Sequence, residues 1–150
     1  MLEYEGLFFK ESISAEEIQK QVARVAQEIN ADYAGKEPLF VCVLNGAFMY
    51  ASDLMKHISL PAEITFVRLK SYEGTETTGK VDMLIPLQVD VKGRDVIVVE
   101  DIVDTGITMR AFMDNLREMG ATSVALTSFL YKPESLRYEE VKPKYYGLAI

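Results

Sequence analysis

The stretch "DVIVVEDIVDTGITM", from Asp95 to Met109, joins an apolar run to three acids and a small turn that is rich in hydroxyl groups. The apolar part has the character of a strand buried inside a sheet. The turn contains Gly106 and leads directly into residues with helical spacing, beginning at Met109. A buried strand that passes through a glycine turn into a helix is a building unit of α/β folds, so this stretch predicts that class.

The same unit recurs along the chain. Helical spacing of apolar residues predicts helices at residues 14–31, 48–58 and 109–119, with Ser14 capping the first helix and Gly120 ending the third. Apolar runs predict strands within residues 39–44, 62–72, 83–91, 95–101, 123–131 and 144–150.

This alternation predicts a single α/β domain over residues 1–150, with a mostly parallel twisted sheet and helices on both faces. Residues 73–82 are polar and contain glycine, and they show no apolar periodicity, so we expect a flexible loop after the second strand. Pro86 favours an edge position for the short strand that follows.

Composition excludes several functional classes. The 150-residue chain has a net charge of −7 and a pI of about 4.8, which argues against general attraction to nucleic acid or to anionic membranes. No apolar stretch is long enough to span a bilayer, and the N-terminus lacks the pattern of a secretory signal, so a cytoplasmic location is expected. The single cysteine, Cys42, lies in an apolar run and is interpreted as a core residue.

The turn at Asp104–Thr108 is the first candidate site. Ligands of parallel sheets collect at the carboxyl ends of strands, and free N–H groups at the start of a helix bind phosphate. Gly106 allows close approach of the backbone, while Thr105 and Thr108 add hydroxyl donors. The alternative is an ordinary helix cap in which Asp104 and the threonines serve only the helix.

Glu100 and Asp101 form the second candidate site. Two adjacent carboxylates at the end of an apolar strand repel each other and lose hydration, so a compensating partner is expected. The hydroxyls of a sugar diol, with a divalent cation such as Mg²⁺ nearby, are one such partner. A surface pair that faces solvent is the alternative.

These residues carry a resemblance to a known family. "VIVVEDIVDTGITM" resembles the phosphoribosyl-diphosphate signature of type I phosphoribosyltransferases, specifically of the hypoxanthine-guanine branch. The similarity extends through "VLNGAFMYASDL", "VRLKSYEG" and "TSFLYKP", in the same order along the chain. It therefore implies the type I phosphoribosyltransferase fold.

The resemblance implies roles for individual residues. In the sugar-phosphate half of the site, Glu100 and Asp101 match the acids that hold the ribose hydroxyls and, through ribose or water, the metal. The loop formed by Asp104, Thr105, Gly106, Ile107 and Thr108 matches the one that binds the 5′-phosphate. The pyrophosphate loop, in which the family often has a cis peptide bond, is matched by Leu44, Asn45 and Gly46.

The remaining matches concern the base and the closing loop. Asp104 matches the acid that faces N7 of the purine and accepts a proton, Ile102 an apolar residue near the base, and Lys132 the lysine that reaches the exocyclic O6. Ser71 and Tyr72 match the start of a flexible loop that closes over the reaction centre.

The expected function is transfer of the phosphoribosyl group from phosphoribosyl diphosphate to a free 6-oxopurine, with Mg²⁺, in a homodimer or homotetramer. The alternatives are a ligand-sensing regulatory protein of the same fold and a sister transferase for adenine, uracil, xanthine or orotate. The sequence departs from the family at Asn45 and in ending at Ile150, where family members continue with further base-binding and metal-binding residues. A chain that ended there is expected to bind phosphate groups and to turn over poorly.

Overall fold

The computed structural model describes residues 2–9, 12–70 and 81–150. Within these ranges the strands are β1 (Leu2–Tyr4), β2 (Leu7–Phe9), β3 (Leu39–Leu44), β4 (Glu63–Leu69), β5 (Met83–Ile85), β6 (Asp95–Val103), β7 (Ser123–Tyr131) and β8 (Tyr145–Ala149). The α-helices are α1 (Ala15–Asp32), α2 (Phe48–Met55) and α3 (Ile107–Glu118), and a short 3₁₀ turn spans Glu139–Val141. The predicted flexible loop, including Ser71 and Tyr72, falls mainly on residues 71–80 and so lies outside the described residues.

Six strands form one sheet in the order β5-β4-β3-β6-β7-β8. In this spatial order, the neighbouring strands β4, β3, β6, β7 and β8 pair in parallel, whereas β5 runs antiparallel to β4 at one edge. The predicted mostly parallel sheet is therefore confirmed, as is the edge position of the strand before Pro86. β6 lies at the centre, between β3 and β7, which explains why its residues Val96–Val99 are fully buried.

Helices cover both faces of this sheet, as predicted. On one face, α1 and α2 pack their apolar residues against β3, β6 and β8, in a core that includes Val25, Leu54 and Ile97. On the other face, α3 packs Phe112 and Leu116 against residues such as Val98. Burial of these side chains on both faces is the main stabilising contribution to the fold.

The sequence signals at two helix ends are confirmed. The Ser14 side chain accepts a hydrogen bond of 3.0 Å from the backbone N–H of Glu17, and this satisfies one unpaired donor of the first turn of α1. Gly120 has φ of 97°, and its N–H and that of Ala121 donate to the last carbonyls of α3. In contrast, α2 ends at Met55 rather than at the predicted Ile58, because the next residues form a tighter turn in which the His57 N–H donates to the carbonyl of Leu54.

The hairpin of β1 and β2 was not predicted. Its turn uses Glu5 and Gly6, both with positive φ, at 50° and 77°. Glutamate is an unusual first residue for such a turn, so the local signal was weak. Tyr4, Leu7 and Phe8 are largely exposed on the hairpin.

No helix within the described ranges is long and apolar enough to cross a membrane.

Candidate active site

The carboxyl ends of neighbouring strands surround a cavity of about 230 Å³. Its wall is formed by the ends of β3, β4 and β6 and by the start of α3. The lining residues are Val43, Leu44, Gly46, Leu69, Lys70, Glu100, Asp101, Thr108 and Met109. The fold therefore brings together residues from all three segments that the family resemblance matched to binding of the sugar, the pyrophosphate and the 5′-phosphate.

The loop after β3 lies directly against the acidic pair. A Cβ atom added to Gly46 would overlap Oδ2 of Asp101 and would lie 2.8 Å from its Cγ. Only glycine therefore permits this approach of backbone and carboxylate. The peptide bond between Leu44 and Asn45 is cis, as the resemblance implied.

Glu100 and Asp101 are partly buried and both line the cavity, so they do not form a fully exposed surface pair. The backbone N–H of Asp101 donates to Oε1 of Glu100 at 3.1 Å, and that of Ile102 donates to Oδ1 of Asp101 at 2.8 Å. Burial, followed by the hydrogen bond with the Asp101 side chain, raises the pKa of Glu100 from 4.5 to about 8. Burial therefore favours the protonated form of the Glu100 carboxyl, and a hydroxyl donor or a cation at the cavity would favour its carboxylate form.

The turn from Asp104 to Thr108 carries α3 away from the end of β6. Gly106 is the N-cap residue, with φ of 83°, and the helix has no side-chain hydrogen bond at this position. Asp104 is exposed, and Thr105 Oγ1 accepts only a long bond of 3.4 Å from the N–H of Ile107. Thr105 thus makes one weak capping contact, and the N–H groups at the start of a helix are of the kind that bind anions.

The segment between β7 and β8 supports this turn, and sequence reasoning did not identify it. The N–H of Arg137 donates to the carbonyl of Thr105 at 3.0 Å. A Cβ on Gly106 would overlap Cγ2 of Val141 and would lie 3.4 Å from Cδ1 of Leu136. Apolar residues in an irregular segment gave no periodic signal from which this contact could be inferred.

The three residues assigned to the base lie beside the cavity rather than in its wall. Ile102 is partly buried in β6, and Asp104 follows the end of that strand. The backbone N–H of Lys132 donates to the carbonyl of Val103 at 2.9 Å, so the end of β7 is held beside the end of β6. The fold thus brings Lys132 to the same edge of the sheet as Asp104.

Lys70 is a lining residue that was not singled out from the sequence. It follows β4, is exposed, and donates its backbone N–H to the carbonyl of Asp82 at 3.0 Å. It lines the same cavity as Gly46 and Asp101. Lys70 belongs to the quoted stretch "VRLKSYEG", but a lysine before a polar loop does not by itself indicate a binding site.

The acidic residues at the cavity offer few ligands for a metal ion. In the part of the chain that the structure describes, no group of three or more His, Cys, Asp or Glu residues could hold a metal ion. Glu100 and Asp101 offer two carboxylates at one cavity. This suits Mg²⁺, which commonly binds through one or two carboxylates together with water and substrate phosphates.

Comparison with known proteins assigns this arrangement to a family. A family model described as the phosphoribosyl transferase domain matches residues 11–147, which include five strands of the six-stranded sheet, the first part of β8 and all of the lining residues. The chain belongs to the phosphoribosyltransferase family.

Individual phosphoribosyltransferases match over most of their length. The hypoxanthine-guanine phosphoribosyltransferase of Lactococcus lactis is 37% identical over 139 residues, covering 92% of this chain and 75% of the relative. The hypoxanthine-guanine-xanthine phosphoribosyltransferase of Tritrichomonas foetus is 33% identical over 135 residues, covering 90% of this chain and 74% of the relative. A crystal structure of a hypoxanthine-guanine phosphoribosyltransferase from Bacillus anthracis has a TM-score of 0.87 at 35% identity, covering 95% of this chain and 82% of that one.

Proposed function

We propose that this phosphoribosyltransferase is a purine-salvage enzyme that joins free hypoxanthine, and guanine as a second base, to phosphoribosyl diphosphate. The products are the nucleoside 5′-monophosphate and pyrophosphate. One observation carries the proposal: the cavity where the Gly46 backbone meets the Asp101 carboxylate, beside Glu100 and Thr108. The similarity to the Lactococcus lactis hypoxanthine-guanine enzyme supports the choice of base.

The sugar-phosphate substrate is assigned to three groups around the cavity. Glu100 and Asp101 accept hydrogen bonds from the ribose hydroxyls, which supplies the compensation that a partly buried acidic pair requires. The uncapped turn Asp104–Thr108 receives the 5′-phosphate. The Leu44–Gly46 loop receives the pyrophosphate, with Lys70 as an additional cation at the same cavity.

The base is assigned to the neighbouring strand ends. Lys132 donates a hydrogen bond to O6 of the purine, and Ile102 supplies an apolar surface beside the ring. Asp104 faces N7. Their common position at the ends of β6 and β7 supports this assignment.

The chemistry follows from where charge develops. The bond between ribose C1 and the pyrophosphate oxygen breaks, its electron pair leaves with pyrophosphate, and a bond forms between C1 and a purine ring nitrogen. Asp104 accepts the proton that the purine loses, and the backbone groups of Leu44–Gly46 stabilise charge on the leaving group. Mg²⁺, held near Glu100 and Asp101 through substrate oxygens and water, supplies further neutralisation of the diphosphate when bound.

A homodimer or homotetramer is part of the proposal. Phe48, Met49 and Phe66 are 57%, 65% and 42% exposed, which is high for large apolar side chains. Burial between copies would remove this surface from water. Light scattering coupled to gel filtration should give a mass of at least twice 16.9 kDa, and a monomeric mass at high protein concentration would refute this part.

The direct test is a spectrophotometric assay of the full-length protein with phosphoribosyl diphosphate, Mg²⁺ and one free base at a time. We expect turnover with hypoxanthine and guanine, and none with adenine, uracil or orotate. Turnover with adenine or orotate alone would overturn the base assignment. Tight binding of phosphoribosyl diphosphate without turnover on any base would instead favour a ligand-sensing protein.

A further inference from the structure

A buried hydrogen bond joins α2 to the middle of the sheet. The hydroxyl oxygens of Tyr50 and Thr127 lie 2.6 Å apart, and these residues are only 7% and 0% exposed. Burial raises the pKa of Tyr50 to about 12, so this hydroxyl is neutral at working pH. The ring of Tyr50 also contacts that of Phe129, with centroids 5.7 Å apart.

This bond spans the strand that carries the acidic pair. α2 packs on β3 and β6, whereas Thr127 belongs to β7, where it is paired with Val99 of β6. Glu100 is the next residue of β6, and Lys132 follows the end of β7. The Tyr50 hydroxyl therefore connects the helix after the pyrophosphate loop to the strand that leads to the base site.

The helix depends on tertiary contacts for its orientation. α2 has eight residues, and its N-cap residue Ala47 makes no side-chain hydrogen bond. Such a short helix is marginal by itself. Its other buried side chains, Ala51 and Leu54, are apolar and make non-directional contacts. Besides an exposed hydrogen bond of 3.0 Å from Gln19 of α1 to Asp53, the Tyr50 hydroxyl therefore supplies a buried directional restraint on rotation about the helix axis.

Rotation of α2 would change the geometry of the cavity wall at Gly46. Gly46 lies immediately before Ala47, the N-cap residue of α2, and Tyr50 is the third residue of this helix. Gly46 has no free space towards Asp101, because even a methyl group there would overlap the carboxylate. A small rotation of α2 thus changes the distance between the loop backbone and the acidic pair.

We propose that Tyr50, through its hydrogen bond to Thr127, is a positioning residue that sets the Leu44–Gly46 loop against Asp101 for binding of the pyrophosphate group. This inference rests on the proposed function, because it assigns that loop to pyrophosphate. Tyr50 does not line the cavity, so its effect is on the geometry of the loop.

Three variants separate positioning from stability. Tyr50→Phe leaves the buried Thr127 hydroxyl without its partner and should destabilise the protein. Tyr50→Phe combined with Thr127→Val removes both polar groups and should restore most of the stability, because replacing both partners by apolar groups of similar shape is nearly neutral. Tyr145→Phe is the matched control, since it removes a tyrosine hydroxyl bonded at 2.5 Å to Asp32, away from the cavity.

The readouts are denaturant unfolding, calorimetric affinity for pyrophosphate with Mg²⁺, and steady-state kinetics of the full chain. We expect the double variant to keep near-parental stability while its affinity for pyrophosphate falls about tenfold, a smaller loss than the roughly 10²-fold that a 1 Å misplacement can cost. The KM for phosphoribosyl diphosphate should rise in parallel, with kcat and the KM for the base changed much less. Tyr145→Phe should leave all binding constants unchanged.

Two results overturn the inference in distinguishable ways. A stable double variant that binds pyrophosphate as tightly as the parent would show that the hydrogen bond has only a structural role. A parent protein that does not bind pyrophosphate at all would remove the assignment of the loop, and with it both the proposed function and the positioning role.

Discussion

Replacement of Glu100 by glutamine should flatten the dependence of stability on pH. Burial and the hydrogen bond with Asp101 raise the pKa of Glu100 from 4.5 to about 8. Because the pKa is higher in the folded state, the stabilising contribution is fully present below pH 4.5 and is lost as the pH rises to about 8. Glutamine keeps the shape and an acceptor for the N–H of Asp101, but it has no proton to lose.

The size of the expected change in stability follows from the same two pKa values of Glu100. The difference between 4.5 and about 8 sets an upper limit of roughly 5 kcal/mol, at about 1.4 kcal/mol for each tenfold step in proton affinity. Local relaxation and entry of water reduce this, so we expect the parent to lose about 1–3 kcal/mol of stability over this range relative to the variant.

Denaturant unfolding of the ligand-free protein between pH 4.5 and 8.5 measures this effect. Glu118→Gln is the control, because it removes a carboxylate from the exposed end of α3. A second readout is the affinity for phosphoribosyl diphosphate, which in the parent should weaken by up to about tenfold for each unit by which the pH falls below 8, if the ligand requires the ionised form of Glu100. Parallel stability curves for parent and Glu100→Gln would refute the assignment of a raised pKa to this residue.

Three further substitutions test single groups of the site. Asp104→Asn should lower turnover by about 10²–10⁴ and leave the affinity for phosphoribosyl diphosphate within a few-fold, and equal rates for variant and parent would remove the assigned proton acceptor. Gly46→Ala should destabilise the protein by about 1–3 kcal/mol and weaken binding of pyrophosphate, because the new methyl group overlaps the Asp101 carboxylate; unchanged calorimetric affinity would contradict this. Lys132→Gln should raise the KM for hypoxanthine by about tenfold or more with little change in that for phosphoribosyl diphosphate, and an equal rise in both would argue against a contact with O6.

The secondary structure was largely predictable because its signals are local. The apolar run Leu39–Leu44, the cap at Ser14 and the glycine stop at Gly120 each depend on neighbouring residues, and each appears in the structure. The hairpin at the N-terminus was missed because the turn at Glu5 lacks the usual residue types.

The sequence by itself determined the fold class, through the alternation of buried strands and helices, and it determined which strand ends carry acids, glycine and hydroxyl groups. The order of the strands, which places β3 and β7 on either side of β6, was decided only by tertiary packing. That order brings Gly46 against Asp101, supports Gly106 with Val141, and joins Tyr50 to Thr127. These contacts link residues far apart in the chain, and their formation depends on how whole faces of the sheet are buried, so no local pattern of residues encodes them.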